Sequence, residues 1–528
     1  MITYLQRCTI LAILVGLTFF SSAAFAQDAS PERAQRLIAQ WQMSQARTVL
    51  DNLSAREKAS AEGLYLEGRY HFYMGDYERA LTYLDRALER RQVREWATLR
   101  EIVANTKEVT TGYKRFVSDS GRFEIFVEPG RDEVLIPFAF EALEAAYEIL
   151  GEELDYRPSD PVRVEIYPRA LVLADVSLLT EENIRTSGTI ALCQYNRLMI
   201  SSPRSVLRGY PWVDTLVHEY VHYVVNQRTT ENVPIWMHEG LAKYLERQWR
   251  GQDASRLEAA VEHLLRRRME EDNLIPFDAM HPSMALLPSQ EDAAVAFAEV
   301  YTTMEYLRRE IGPGAFGKLL DEINAGHDAR TAYARVLGVT WEEFEHQIWP
   351  AYLQERPRPP FSGEEEVLQE KIVLRDQAGR AGNELEEVRI PGARDYIQLG
   401  QMLQARSRYG AAVVQYEKAR EIIGELNPVL QNRLAESLVR SGEPGRALEA
   451  LRAVRELYPS RVSTWISLGR AYIEAEEYEA AREALREAAR INPFNPEIHE
   501  LMGRAYRRLG DNDGVERASH ALNLVRER

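Results

Sequence analysis

The chain has 528 residues, too many for one compact core, so several domains are expected. Hydrophobic residues make up 45% and charged residues 28%, a balance that excludes wholesale disorder. The net charge of −16 excludes a general affinity for nucleic acid or for an anionic membrane surface, since both need a basic footprint.

Positions 1–26 read as a signal peptide. Arg7 precedes an apolar run from Ile10 to Phe20, and Ala24-Phe25-Ala26 supplies a small-residue cleavage pattern before Gln27. The run is short for a bilayer span of ~20 residues, which leaves a retained anchor as the lesser alternative. The expected location is exported, periplasmic ahead of extracellular, with no stable membrane span once the signal is removed. Cys193 is then the only remaining cysteine, so no intramolecular disulfide can form.

Residues 27–110 are expected to form helices. Gly68, His71, Ala80, Leu84 and Ala87 make one helical pair, with Gly75-Asp76 at its turn. Ala34, Leu37, Ala46 and Leu50 form a fainter copy 34 residues earlier.

From 111 to 355 the texture changes. Arg122–Val127 and Val162–Tyr167 read as strands, separated by a helix over Leu135–Leu150. Gly188–Cys193 and Arg197–Ile200 read as a hairpin around Tyr195-Asn196, and helices dominate after Pro211. Strands followed by helices point to an α+β domain.

Within it stands His218-Glu219-Tyr220-Val221-His222. Four residues advance a helix by ~400°, so both imidazoles leave one face a turn apart and can share a metal. Glu219 is offset from them, placed as a base beside the metal. The surrounding helix is apolar nearly all round, so burying these groups needs partners. A second helix, opened by Pro234, carries Glu239, with Gly240 and Ala242 small as expected where two helices cross closely. Two imidazoles and one carboxylate leave the fourth tetrahedral position to water, the arrangement of a catalytic zinc. His238 is expected to point away from the metal. Asp214, one turn before His218, either orients that ring or serves as a first-turn helix acid. Cys193 reads as a small buried hydrophobe, with a zinc-capping thiolate as the alternative.

Residues 356–391, with four prolines and the acidic run Glu364–Glu366, read as a linker with at most one short helix. Over 392–528 the repeats sharpen. Leu399-Gly400, Leu434-Ala435 and Leu468-Gly469 come into register at steps of 35 and 34 residues. Ala412, Ala447 and Ala481 fall together, as do Tyr416, Leu451 and Leu485. A fourth, weaker copy runs from about Glu497 with a polar last helix suited to a cap. The pattern resembles the tetratricopeptide repeat, in which small residues let paired helices approach and large ones fill the groove.

The motif His218–His222 followed by Trp236-Met-His-Glu-Gly-Leu-Ala242 resembles the gluzincin metallopeptidases, especially bacterial peptidase MA-like domains joined to tetratricopeptide repeats. The resemblance implies a multidomain, mainly α protein: an α+β zincin-like domain plus α-helical repeat solenoids. It implies one catalytic Zn2+ held by His218, His222 and Glu239, Glu219 as general base, and a peptide or protein substrate. Many such domains have Ala-Tyr at the start of the downstream helix, where this chain has Ala296-Phe297. Tyr301 is the candidate for the second oxyanion donor, with a packed tyrosine as its plainer reading. The concave repeat face is expected to take substrate or a protein partner, with scaffolding of the peptidase domain as the alternative. A repeat-based assembly factor with an inactive zincin domain is the competing whole-protein reading.

Overall fold

The computed structural model describes residues 29–229, 233–251, 256–356, 372–376, 384–388 and 390–526. The expected signal peptide, and most of the expected linker, lie outside them. Among the described residues, no helix is long and apolar enough to cross a membrane. The protein is multidomain and mainly α, with one small mixed sheet.

Residues 31–110 form antiparallel helices, among them Ala61–Tyr73 and Tyr77–Arg90. Gly75 turns between these two at φ +76°, and the Asp76 carboxylate caps the second by accepting from the Arg79 amide at 3.1 Å. A Cβ on Gly68 would meet the Leu84 side chain at 2.7 Å, so the paired helices require a glycine there. The C-terminal array uses the same device. A Cβ on Gly400 would meet Tyr416 at 2.4 Å, and one on Gly469 would meet Leu485 at 2.5 Å. Four helix pairs run from Pro391 to Arg526, three of them opening with proline at the first turn.

Between the arrays lie β1 (Lys114–Val117), β2 (Phe123–Val127), β3 (Val162–Tyr167), β4 (Ala191–Gln194) and β5 (Arg197–Ser201). Their order is β1-β2-β3-β5-β4. The β2-β3 and β3-β5 pairs are parallel and the two outer pairs antiparallel. Helix Ile136–Glu153 makes the β2-to-β3 crossover. Tyr195 and Asn196 both take positive φ (55° and 60°), the two-residue turn whose twist matches a hairpin. β1 was not expected from the sequence: Lys114-Arg-Phe-Val117 is short, and mostly exposed, so it carries no alternating apolar pattern.

Neither array hangs free. At the back of the sheet, Glu165 on β3 and Arg197 on β5 are fully buried against the N-terminal helices, with the Arg197 guanidinium 4.7 Å from the Phe72 ring. In front, the last C-terminal repeats press on the middle domain: Trp212 Nε1 donates to the Ala489 carbonyl at 3.3 Å, and the Tyr210 amide to that of Ile491 at 3.2 Å. The described part of 356–391 is anchored too. Leu374 bridges Val206, and Gln290 brackets Ile372 through both its amide and its carbonyl. It includes the short helix Glu384–Glu387.

Candidate metal centre

Helix Trp212–Arg228 carries the two histidines through the middle of the domain. Its residues Trp212, Val213, Leu216, Val217, Tyr220, Val221, Val224 and Val225 are fully buried, so packing on every side fixes which way the polar ones face. Helix Ile235–Leu245 brings Glu239 to them. The expectation for Gly240 needs correction. A Cβ there would meet the Val300 carbonyl at 2.9 Å and Met304 at 3.0 Å, so the glycine admits the long helix Gln290–Ile311 rather than the histidine helix.

The ligand atoms of His218, His222 and Glu239 lie within 4.8 Å of one another, the single such cluster among the described residues. Glu239 Oε2 stands 3.1 Å from His218 Nε2 and 3.4 Å from His222 Nε2. Two zinc bonds of ~2.1 Å at a tetrahedral angle separate their outer atoms by ~3.4 Å, so the donor set fits that ion.

The far nitrogens are held as well. Glu246 Oε2 lies 3.0 Å from His218 Nδ1, and His238 Nδ1 lies 2.8 Å from His222 Nδ1. Holding both Nδ1 atoms leaves both Nε2 atoms facing Glu239. Glu246 in turn accepts from Lys243 Nζ at 2.6 Å. Burial disfavours a charged His218 ring, but its hydrogen bonds to the Glu239 and Glu246 carboxylates outweigh it and push its pKa up to about 10. Burial would raise Glu239, yet the two imidazoles hold it well below the usual carboxylate range. The carboxylates therefore demand positive charge among these side chains, which a divalent cation meets as well as a proton does. Burial, with His222 beside it, holds His238 down to about 3, so this ring is neutral and able to accept.

Two partners went unread in the sequence. Glu246 sits seven residues, two turns, after Glu239 and so shares its face, a signal the helical period does contain. His238 stays outside the ligand cluster as expected, but it touches His222 rather than turning away. Asp214 orients no ring: its carboxylate takes Arg250 through both oxygens, at 2.8 and 3.0 Å, and the Trp249 indole at 3.1 Å.

A cleft of about 760 Å³ runs over the cluster. Glu219 lines it, 6% exposed, its pKa raised by burial. β4, the outermost strand on that side, forms one wall, and Pro459, Ser460, Glu487 and Ile491 of the C-terminal repeats reach another. Cys193 on β4 also faces it. Enclosure, with the charge of Glu219 adding, raises its thiol well above the ordinary value, which favours the uncharged small-residue reading over a thiolate. The Phe297 ring stands 6.2 Å from the His218 ring. Tyr301, one turn on, lines the cleft but is 2% exposed and donates its hydroxyl to Glu305 at 3.2 Å.

A family profile described as the Peptidase MA superfamily matches residues 143–355. Tetratricopeptide repeat profiles match 61–91 and 432–496. No curated protein matches the chain. Leukotriene A4 hydrolase from Saccharomyces cerevisiae is similar at 13% identity over 78% of this chain and 66% of that one, with a TM-score of 0.32. A thermophilic TPR protein of Thermus thermophilus is similar at 25% identity over 25% of this chain and 72% of that one, with a TM-score of 0.23. Both TM-scores are low, and the profile matches assign the domains. Residues 143–355 form a Peptidase MA superfamily domain, and tetratricopeptide repeats flank it on both sides.

Proposed function

We propose that this domain hydrolyses peptide bonds in proteins or peptides, with one zinc ion held by His218, His222 and Glu239 and with Glu219 as general base. The observation that carries the reading is the pair of separations from Glu239 Oε2, 3.1 and 3.4 Å, to two imidazole nitrogens whose far sides are both occupied. When bound, zinc supplies Lewis acidity, bringing the pKa of a water toward ~7 and polarising the scissile carbonyl. Glu219 accepts the proton of the attacking water and returns it to the leaving amine, and the raised pKa that burial gives it suits both transfers. Glu246 and His238 keep the imidazoles in one tautomer and orientation throughout. The free edge of β4 pairs with the backbone of an extended substrate, which positions the peptide without reading much of its sequence. The C-terminal repeats close part of the cleft, and their first pair, with Leu399, Met402 and Val414 exposed, offers a surface to a substrate or partner protein.

Export belongs to the same proposal. The apolar run Ile10–Phe20 and the Ala24-Phe25-Ala26 pattern support it, and N-terminal sequencing of the mature protein is expected to begin at Gln27.

The test pairs zinc stoichiometry with hydrolysis of a generic unfolded protein by wild type and Glu219→Gln. One zinc in each, with cleavage by wild type and a loss of at least ~10³-fold in the variant, is expected. Equal inactivity of both zinc-loaded proteins would instead favour a repeat scaffold that retains the fold without turnover.

A further inference from the structure

The wall of the cleft beyond His218 carries four cationic side chains among the carboxylates of Asp214, Glu246, Glu258 and Glu487. Lys243, Arg247, Arg250 and Arg256 all line it. Lys243 is spent on Glu246, and Arg250 on Asp214 and on Glu487 at 2.6 Å. Glu258 takes the Ser460 hydroxyl at 3.0 Å. That leaves Arg247. Its Nε lies 3.6 Å from Asp214 Oδ2, beyond hydrogen-bond length, and that carboxylate already serves Arg250 through both oxygens. The same Nε is buried and has no hydrogen-bond partner. Arg256 is exposed on the same wall and makes no ion pair among the described residues.

Arginine keeps its charge at any relevant pH, and its planar fork matches the geometry of a carboxylate. We propose that Arg247, assisted by Arg256, forms a subsite for a substrate carboxylate, so that this peptidase prefers acidic peptides. The inference rests on the peptidase reading above. Asp214 precedes His218 by four residues, ~6 Å along the helix, a distance spanned by about two residues of extended peptide. The recognised carboxylate therefore lies roughly two residues from the scissile bond. An acidic side chain and the C-terminal carboxylate of a short peptide present the same chemistry there.

A labelled decapeptide with one Glu walked along its length, a Gln control, and free-acid and amidated C-termini separate the cases. Binding is read by fluorescence anisotropy on the Glu219→Gln protein and on metal-free wild type, where no turnover interferes. Cleavage by zinc-loaded wild type is mapped by mass spectrometry. The Glu peptides are expected to bind about 10-fold tighter than the Gln control, the worth of one charge-assisted hydrogen bond, with the gap shrinking as salt rises. Arg247→Gln with Arg256→Gln is expected to erase the gap, and Arg247→Lys to keep part of it. Circular dichroism establishes that each variant is folded, and Arg256→Gln alone, on the surface, still narrows the gap if Arg247→Gln does not fold. A preference tied to the amidated-versus-free comparison assigns the subsite to the chain terminus; one tied to the Glu position assigns it to a side chain. Equal binding of Glu and Gln peptides, or a preference that survives the double substitution, overturns the subsite. Cleavage without acid preference would sink this inference alone. Selective binding without any cleavage would sink the peptidase reading and leave the subsite standing.

Discussion

Two clusters of buried charge lie on opposite sides of the five-stranded sheet, and they differ in whether a cleft reaches them. Behind the sheet, Glu165 accepts from Arg163 at 2.7 Å, from Tyr167 at 2.6 Å and from Tyr77, and pairs with Arg197 at 3.3 Å. Arg197 lies over the rings of Phe72, Tyr77 and Tyr195. Strands supply the charges and the N-terminal repeats supply two of the three aromatic faces, so the cluster is an adhesive. In front, Glu239 and Glu246 hold the His218 ring between them, and His218, His222, Glu219 and Arg247 all line a cleft. A cluster closed off inside the protein builds structure, and one that lines a cleft is available for chemistry.

Breaking the rear cluster gives the largest effect on stability. Arg197→Ala removes one cation from a fully buried carboxylate and empties the space under three rings. A loss of about 3–5 kcal/mol is expected in urea unfolding, the cost of stranding a buried charge. Burial alone would raise the pKa of Glu165, but Arg197 and Arg163 outweigh it and hold it at about 2, below its value in the unfolded chain. The sign follows: its contribution is fully present above the unfolded pKa of about 4.5 and is lost as pH falls from there toward about 2. Wild type is therefore expected to loosen its N-terminal repeats in that acid window. Glu165→Gln is expected to flatten the same part of the curve. An unchanged acid limb in the variant would show that the cluster does not hold the repeats on.

The attachment of the C-terminal repeats should respond more mildly. Glu487 pairs with Arg250, but Arg250 keeps both oxygens of Asp214, and Trp212 still donates to Ala489. Glu487→Gln is expected to cost about 1 kcal/mol or less, with most of the difference gone at high salt, because the pair is only partly buried. A salt-independent loss above ~3 kcal/mol would place this contact in the same class as the rear cluster and erase the contrast.

The parts of this arrangement that repeat or alternate were open to sequence reading. The Gly400 and Gly469 positions announce close helix pairs because a small residue recurs there in every repeat, Gly400, Ala435 and Gly469, opposite a large one. The His218–His222 spacing announces a shared face for the same kind of reason. Glu246 was legible in principle, being two helical turns from Glu239, but an acid at that spacing is ordinary on any helix. The docking of Glu487 on Arg250, 237 residues apart, has no local trace at all. Nor does the true neighbour of Gly240: a small residue signals that something approaches, and only the packing says that it is Val300 and Met304. Asp214 stands in the first turn of its helix, as one of its two readings had it, but the Arg250 guanidinium brought to it by a later turn has no local trace.

Tyr301 tests the contrast at its finest grain, because it lines the open cleft yet behaves as a member of a closed cluster. Its ring leans on Tyr244 with centroids 5.6 Å apart, and its hydroxyl is donated to Glu305, which also accepts from Tyr352 and Arg356. Burial and the nearby Glu305 carboxylate raise its pKa far above that of a free phenol, so the proton stays on oxygen. The ring nearer the metal ligands is Phe297, which has no hydroxyl to offer. Tyr301→Phe is accordingly expected to leave kcat within about 3-fold of wild type and to lower stability by ~1 kcal/mol, the net worth of one hydrogen bond. An oxyanion donor would behave otherwise: its removal costs ~10²–10³-fold in kcat. A loss of that size in a variant of normal stability would mean that Tyr301 leaves Glu305 when substrate binds, and that the cleft completes itself only around a peptide.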